Sequence, residues 1–482
     1  MGKEWRHLII AVLLGCLCLM LLHGYGLTGA GTRLLAVFLP TIYLWITCGL
    51  GWPSLFSVTM VILLRVAEGN RVYSSFWGNS CVALVVPFFM LAGTLEESGA
   101  MEWVVKWILS RHWITGRPTL FRILFCLSIV LVTSFCGAQV SCLIMFRILR
   151  EIADSIGCSE DSEFYRSHGL LTVWVTQSMD GVRPWGRPHT MTLVSLLIGF
   201  GFSDISIFTT LCVGIPFGVS VIVTGCLLVR FWMKPDMKAF MSYRPEAVSR
   251  ELKKKPLTHS GRATLIALVV IIFSWILAEM KFLGQTAAYF SAISLTAPVC
   301  LAVVVLCVLR IDGKPVMDLK KAMAKVPWSV IFFLGATMFY AEYIGKEEFG
   351  ITAFLKNVLH PLMVGISPWG VIGIGICFAS LITNFCSNTV TGIVIISSVV
   401  PILQAMPGVP DSLILAFGLA CISITAAAFC TVSACPAMGI CYGEGGVEYR
   451  GTVKYSAVFC VIQCIVMCVM IIPFASMVLT KG

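Results

Sequence analysis

Charged residues are scarce in this chain, at 12%, whereas a soluble globular domain carries about 25%. Hydrophobic residues reach 58%, which is more apolar surface than one ordinary core can bury. Nearly uncharged runs at 205–229, 287–309 and 453–479 are long enough to cross a bilayer, which takes about 20 helical residues. The composition excludes a soluble single-core protein and predicts an all-α polytopic membrane protein.

Motifs for metal binding and for enzyme chemistry are also missing. The 21 cysteines are scattered through apolar segments, with no C-x-x-C pair and no Cys/His cluster at zinc spacing. We interpret them as small buried hydrophobic side chains, not as disulfides or metal ligands. A membrane-embedded enzyme would need a nucleophile with its base, or paired carboxylates, at membrane depth. No G-x-S-x-G, H-E-x-x-H or Asp pair lies within the hydrophobic segments, so the sequence predicts that the protein is not an enzyme.

Basic residues are concentrated in the loops and give the chain a net charge of +10. Lys and Arg residues at 253–262 and 310–325 flank a hydrophobic hairpin at 263–309, and Lys3 and Arg6 stand near the N-terminus. By the positive-inside rule these positions are cytoplasmic. We therefore predict a multi-pass protein of the inner (plasma) membrane, with a cytoplasmic N-terminus, an external C-terminus and no nucleic-acid partner.

Two segments of the chain are versions of one motif. Residues 131–141 read LVTSFCGAQVS, and residues 381–391 read LITNFCSNTVT. They differ most at the centre, where residues 137–139 read GAQ and residues 387–389 read SNT. Duplicated polar breaks inside apolar segments are typical of secondary transporters that are built from inverted repeats.

The order of the apolar runs predicts about eleven transmembrane helices and two re-entrant hairpins, arranged as an inverted repeat. One hairpin is predicted at 119–150, because each of its halves is too short to span the bilayer alone. A second is predicted at 367–405, centred on residues 387–389. Broken helices are predicted at 168–201 and 411–445, where polar residues and prolines interrupt the apolar sequence. Such breaks must be buried in protein or line a cavity, because unpaired backbone groups cannot face lipid.

The same pattern divides the chain into scaffold and repeat segments. Interfacial helices are expected at 101–112 and 348–363. The predicted segments are N-terminal scaffold helices at 1–79, a first inverted repeat at 80–234, a basic cytoplasmic loop at 235–262, a scaffold hairpin opening the second repeat at 263–326, and the second repeat core with the last helix at 327–482.

The second hairpin carries the clearest candidates for ligand contact. Helix N-termini present free backbone N–H groups and a partial positive charge, which suits anions. Asn388 and Thr389 are therefore candidates for substrate binding. Hydroxyl, amide and carbonyl oxygens can also coordinate a small hard cation, which makes Thr383, Ser387 and Asn388 candidates for a sodium site.

In the order and spacing of these features, residues 82–446 resemble the divalent anion:sodium symporters, the family of dicarboxylate, citrate and sulfate carriers. Members of that family carry Ser-Asn-Thr at the tips of two hairpins and a Thr-Pro-type unwound loop in each of two broken helices. Residues 387–389 match the tripeptide. Ala434, Cys435 and Pro436 lie where the second unwound loop is expected, with Cys435 in place of the usual Thr.

The resemblance implies a substrate that is held between the two hairpin tips and the two unwound loops. It also implies an elevator-like movement of a transport domain against a scaffold domain, a homodimer, and sodium as the coupling ion. In the second half, the residues implied for substrate binding are Asn388, Thr389, Cys435 and Pro436. Those implied for sodium binding are Thr383, Ser387, Asn388 and Ala434.

The first half departs from the family pattern. Gly-Ala-Gln replaces Ser-Asn-Thr, which leaves Gln139 at the substrate position and only Thr133 at a degenerate second sodium site. Gly-Arg-Pro stands where Gly-Thr-Pro is expected in the first unwound loop. This substitution puts Arg187 and Pro188 at substrate positions.

A fixed guanidinium can replace the charge of a bound sodium ion, and it can bind a carboxylate or sulfate through two parallel hydrogen bonds. Our hypothesis is that Arg187, together with Arg183, takes over from the sodium lost in the first half. The carrier would then couple to fewer ions than is typical of the family. Asp180 is expected to pair with one of the arginines, and His189 could carry a proton because histidine titrates near neutrality.

The sequence thus predicts an elevator-type secondary active transporter of small divalent anions, either di- or tricarboxylates or sulfate, that is coupled to sodium. Two alternatives remain open. One is a sodium-independent or proton-coupled anion exchanger of the same fold. The other is a non-transporting receptor on a degenerate carrier fold, which substrate binding without flux would distinguish.

Overall fold

The computed structural model describes most of the chain. Regular structure in the described residues is almost entirely helical, apart from one pair of two-residue strands. The described ranges are 2–22, 26–183, 188–202, 205–245, 252, 255–344, 346–351, 353–354, 357, 365–431, 435–443 and 445–480.

The helices of the first half are numbered in chain order. They are α1 (Lys3–Leu21), α2 (Gly29–Cys48), α3 (Gly51–Leu63), α4 (Gly69–Trp77), α5 (Ser80–Glu97), α6 (Ala100–Leu109), α7 (Pro118–Cys136), α8 (Ala138–Ser155), α9 (Glu163–Val182), α10 (Pro188–Gly199) and α11 (Ile207–Leu227). Short 3₁₀ or π turns lie at His112–Ile114, Leu228–Met233 and Ala239–Ser242.

The second half continues with helices of the same kind. They are α12 (His259–Glu279), α13 (Gln285–Ala292), α14 (Thr296–Val308), α15 (Leu319–Ala324), α16 (Trp328–Ile344), α17 (Pro368–Thr383), α18 (Asn388–Ala405), α19 (Asp411–Ala426), α20 (Pro436–Tyr442), α21 (Tyr449–Val466) and α22 (Ile472–Leu479). Between α14 and α15, β1 (Arg310–Ile311) pairs antiparallel with β2 (Lys314–Pro315), a small element that the sequence did not predict. Short 3₁₀ or π turns lie at Lys281–Leu283, Glu347–Phe349 and Met467–Ile471.

The described helices suit a membrane. Seven stretches are long and apolar enough to cross one, or eight if α13 and α14, which are bent by 72° relative to each other, count as one span. Their outer faces expose apolar side chains, as on α12, where Ile266, Val269 and Phe273 are 64%, 62% and 60% exposed. An apolar surface of this kind belongs against lipid, and the predicted all-α polytopic fold class is confirmed.

The number of full spans differs from the predicted number. Five further apolar helices, α3, α10, α16, α17 and α19, have only 10–17 residues, which is short of the about 20 residues that a span needs. Several of these helices stop at a hairpin turn or at a break. By length and composition, the described residues therefore do not reach the eleven predicted spans.

Both predicted hairpins are present as helix pairs. Gly137 alone joins α7 to α8, and residues 384–387 join α17 to α18. α7 and α18 are each long and apolar enough to span a membrane. The prediction that both halves of the first hairpin are too short is therefore wrong for α7, because the turn between the halves takes only one residue.

Both predicted broken helices are present too. In the first, α9 ends at Val182 and α10 begins at Pro188; in the second, α19 ends at Ala426 and α20 begins at Pro436. The first begins at Glu163 rather than at residue 168. The reason is a helix cap, in which the Tyr165 N–H donates to Ser162 Oγ at 3.2 Å. The predicted interfacial helix at 101–112 corresponds to α6, whereas much of 348–363 lies outside the described residues.

The broken helices lie at the centre of the packing. α9 is buried from Ser167 to Val182 and packs against α7, α8, α11 and α19. α10 packs against α16, α18 and α19. The hairpins and the broken helices therefore form one packed unit.

Gly181 permits the closest approach within this unit. It lies in the last turn of α9, and a Cβ added there would lie 2.2 Å from Cβ of Ala426, the last residue of α19. Both residues adjoin a break, so a larger side chain would separate the two broken helices where the unwound segments begin.

We predict that Gly181→Val destabilises the purified protein by about 1–3 kcal/mol, because overpacking forces the backbones apart. Thermal unfolding in detergent measures this change as a lower Tm. Gly373 is the matched control, since an added Cβ there meets no atom within 4 Å. An unchanged Tm for Gly181→Val, or an equal loss in Gly373→Ala, would contradict the close approach.

Candidate functional site

The first hairpin turns at Gly137, which has a φ of 81°. Glycine adopts such positive φ values without steric cost, so the first position of Gly-Ala-Gln suits this one-residue turn. Thr133 Oγ1 donates to Ser141 Oγ at 2.8 Å across the turn, and the Ser141 N–H donates to the Gly137 carbonyl at 3.1 Å. These bonds hold α7 and α8 together at their tip.

The second hairpin closes through matching positions. The Thr391 N–H donates to the Ser387 carbonyl at 2.9 Å, as Ser141 does to Gly137. Thr383, the counterpart of Thr133, places its Oγ1 2.9 Å from Asn388 Oδ1 and also contacts the Thr425 carbonyl. Two predicted sodium ligands, Thr383 and Asn388, are therefore side by side at this tip.

Asn384 ties the second hairpin to the second broken helix. Its Oδ1 accepts hydrogen bonds from the backbone N–H groups of Phe429 at 2.8 Å and Cys430 at 2.7 Å. Its Nδ2 donates to the Ser380 carbonyl at 2.6 Å, and the backbone carbonyl of Asn384 accepts from Thr431 Oγ1 at 2.6 Å. The side chain thus satisfies backbone donors that the end of α19 leaves without helical partners.

Arg183 ties the first hairpin to the first broken helix. Its Nε and one terminal nitrogen donate to Asp180 Oδ1 at 3.2 and 2.9 Å, and the other terminal nitrogen donates to the Ser134 carbonyl at 3.3 Å. The side chains of Arg183 and Asp180 are only 7% and 12% exposed. The expected pairing of Asp180 with one of the arginines is confirmed, and the guanidinium lies 3.5 Å from where a Cβ on Gly137 would be.

The two tips and the two broken helices border one cavity of about 810 Å³. Leu50 and residues of α5, of α16 and of the segment between α15 and α16 complete its wall. The predicted substrate residues Gln139, Arg183, Asn388, Thr389 and Cys435 all line it, as does the predicted sodium ligand Ser387. The structure therefore brings half of the predicted site residues into one place, although the candidates come from distant parts of the sequence.

The remaining predicted residues fall elsewhere or outside the described residues. Thr133 and Thr383 are fully buried and lie behind the tips, where they bond to neighbouring helices. Pro188 and Pro436 are the first residues of α10 and α20. Arg187 and Ala434 lie outside the described residues.

His189 joins the site in a way that the sequence did not predict. It is 3% exposed and borders the cavity. Its Nδ1 lies 3.2 Å from Thr389 Oγ1, and its Nε2 lies 2.9 Å from the Ile422 carbonyl. The side chain therefore links the start of α10 to the second hairpin tip and to α19.

Sequence reasoning also missed two anchoring groups, the side chain of Asn384 and the carbonyl of Ser134. They occupy the same position in the two copies of the motif. A polar residue at the same place in both copies was a signal that could have identified them.

Comparison with known proteins gives one match over nearly the whole chain and several partial ones. A family model described as citrate transporter matches residues 3–422. The Na(+)/dicarboxylate cotransporter 3 of Mus musculus is 36% identical over 83 residues, which is 17% of this chain and 13% of that protein. The sodium-dependent high-affinity dicarboxylate transporter 3 of Caenorhabditis elegans is 30% identical over 132 residues, 27% of this chain and 22% of that protein. The alignments thus span less than a quarter of either relative.

The predicted resemblance to the divalent anion:sodium symporters is confirmed by these matches. The prediction of a carrier rather than an enzyme agrees with them as well. Since the family model covers well over half of its residues, this chain belongs to the citrate transporter family.

Proposed function

We propose that the chain is a secondary active carrier for small divalent anions, of the di- or tricarboxylate or sulfate class. The observation that carries this proposal is the single cavity at which both hairpin tips meet both broken helices. The family description and the names of the partial relatives support the same class of substrate. A cavity of about 810 Å³ falls within the range of about 300–1,000 Å³ that is typical of small-molecule sites.

The cavity offers the donors that a dianion needs. α8 and α18 both begin at its wall, and the first N–H groups of a helix have no partner within the helix and attract anions. Three of the five N–H groups of Arg183 donate to Asp180 and Ser134. The other two are available, among the described residues, for a carboxylate or sulfate.

We further propose that sodium is co-transported through the second half only. Thr383 Oγ1 and Asn388 Oδ1 lie 2.9 Å apart, and hard cations prefer oxygen ligands of this kind. Ser387 and Ala434 complete the proposed set. In the first half, Ala138 stands at the position that matches Asn388, and it has no side-chain oxygen to bind a cation.

In place of a first-half sodium ion, we propose the fixed charge of Arg183. Its guanidinium lies against the tip at Gly137, and the Thr133 hydroxyl is already donating to Ser141. Arg187 stays part of this proposal on sequence grounds. The same arrangement favours a second candidate function, sodium-independent anion exchange, because a fixed cation needs no ion from solution.

The assembly and orientation remain part of the proposal. The family resemblance supports an elevator-type movement and a homodimer. The basic loops support an inner (plasma) membrane location with the N-terminus in the cytoplasm and the C-terminus outside. The division into scaffold segments and two repeats is proposed on the same grounds.

Sodium coupling can be tested by uptake into proteoliposomes. We expect an inward sodium gradient to accelerate uptake of labelled succinate, citrate or sulfate, compared with an equal potassium gradient. Asn388→Ala should raise the sodium concentration needed for half-maximal uptake by about tenfold or more, because the sodium ion loses one of its oxygen ligands. Asn70→Ala, on exposed α4, is the control and should behave as the wild type.

Equal uptake in sodium and potassium would favour exchange over symport. Absence of flux for all three anions, in protein that is folded and correctly inserted, would contradict the proposed function. Binding without flux would instead favour a receptor.

The role of Arg183 can be tested separately. We expect Arg183→Gln to raise KM for the anion by about tenfold or more, the cost of losing a charge-assisted hydrogen bond. The double variant Asp180→Asn/Arg183→Gln should show the same rise without leaving an unpaired buried carboxylate. Arg147→Gln is the control, since Arg147 is 65% exposed. An unchanged KM in the double variant would show that Arg183 does not contact the anion.

A further inference from the structure

Hydrogen bonds at both ring nitrogens hold His189 in one orientation. Nε2 lies 2.9 Å from the Ile422 carbonyl, and Nδ1 lies 3.2 Å from Thr389 Oγ1. Thr425 Oγ1 is also near Nε2, at 3.3 Å, but its hydroxyl donates to the Cys421 carbonyl at 2.6 Å. Both groups around Nε2 therefore act as acceptors for it.

These partners fix the tautomer of the neutral side chain. A carbonyl oxygen can only accept, so Nε2 must carry the hydrogen that points to Ile422. Nδ1 of a neutral imidazole is then a lone pair, and the Thr389 hydroxyl must donate to it. A hydroxyl has a single hydrogen, so in this state Thr389 has no O–H to offer to an anion in the cavity.

Protonation of His189 reverses this bond. Nδ1 of an imidazolium is a donor, so the Thr389 oxygen becomes the acceptor and its hydrogen is released. The released O–H can then donate to an anion at the second hairpin tip. The same proton adds a positive charge to the cavity wall.

We propose that His189 is a positioning residue whose protonation determines whether Thr389 donates a hydrogen bond to the transported anion. The proposal rests on the proposed function of the cavity, and it adds a proton to the transported cargo. Because binding free energies are reciprocal, an anion that binds better to the protonated state also strengthens proton binding. A proton is therefore taken up from solution with the anion and returned to solution when the anion leaves.

Other charged or titratable groups of the described residues lie on the helices that pack against α10 and in the cavity wall. α10 packs against α9, α16, α18 and α19, and α18 has no Asp, Glu, Lys, Arg or His. On α9, Asp180 pairs with Arg183, and Glu163, Tyr165, Arg166 and His168 lie in the first two turns, at the opposite end of the helix from the break. On α16, Glu342 pairs with Lys346 at a separate groove; the other such residues on α16 and α19 are Tyr340, Tyr343, Asp411 and Cys421. The cavity wall adds Glu96, Cys136, Cys435 and Lys325, of which Lys325 pairs with Glu97.

Two substitutions at His189 separate the two hydrogen bonds. His189→Asn places an amide oxygen near the position of Nδ1, so it can still accept from Thr389 but cannot be protonated. His189→Gln reaches the position of Nε2, so it can still donate to Ile422 and leaves the Thr389 hydroxyl free. Neither side chain titrates between pH 5.5 and 8.0, a range in which histidine changes charge.

The experiment measures KM for labelled succinate in proteoliposomes across this pH range. For the wild type we expect KM to rise with pH by about tenfold, the cost of one hydrogen bond to a charged group. Both variants should lose this part of the pH dependence, and KM should be about tenfold higher for His189→Asn than for His189→Gln. Succinate itself titrates in this pH range, and this affects KM equally for the wild type and the variants. We therefore interpret only the difference between the pH profiles of the variants and of the wild type.

His112→Gln is the matched control, because His112 is exposed between α6 and α7; it should keep the wild-type pH profile. Thr389→Val provides a second route if the His189 variants fail to fold, since it removes the hydroxyl and should also flatten the profile. Wild-type pH profiles in the folded His189 variants, or in Thr389→Val, would overturn the inference and leave the proposed function intact. Failure of the wild type to transport any of the three anions at any pH would overturn the proposed function and the inference with it.

Discussion

Unpaired backbone groups are the constraint on which this structure depends. In apolar surroundings each free N–H or C=O needs a partner, and the two broken helices create such groups in the middle of the packed unit. Asn384 supplies the partner for the N–H groups of Phe429 and Cys430. At the first break, Arg183 reaches from the end of α9 to the Ser134 carbonyl near the end of hairpin helix α7. Each break is thus bonded to the neighbouring hairpin, which is why hairpin tips and helix ends meet at one cavity.

The two halves satisfy this constraint with different chemistry at matching positions. In the second half, the Asn384 amide reaches out to the unwound segment. In the first half, the Ser134 hydroxyl donates to the Val130 carbonyl of its own helix at 2.7 Å. The contact with the break is made instead by the Arg183 guanidinium, which donates to the Ser134 carbonyl. The repeated motif therefore holds an uncharged anchor on one side and a charged one on the other. This asymmetry sets the proposed division between a bound cation and a fixed cation.

Local signals explain what could be predicted from the sequence. Apolar composition gave the fold class, and the repeated motif located both hairpins because Gly137 and Ser387 mark the turns within it. Contacts between distant segments could not be predicted. His189 and Thr389 are 200 positions apart, and the bond between them depends on how α10 packs against α18, which no local pattern encodes. The length of the hairpin helices was also underestimated, because a turn of one residue leaves no visible gap in an apolar run.

The Asp180–Arg183 pair has an electrical consequence for the proposed carrier. Both residues belong to the protein, so their charges return to the starting side in every cycle and carry no net charge across the membrane. A sodium ion bound in the same place would move one elementary charge, worth about 2.3 kcal/mol per 100 mV of membrane potential. With the fixed pair, one fewer positive charge crosses with the dianion in each cycle, so an inside-negative potential would oppose uptake of the anion by that amount.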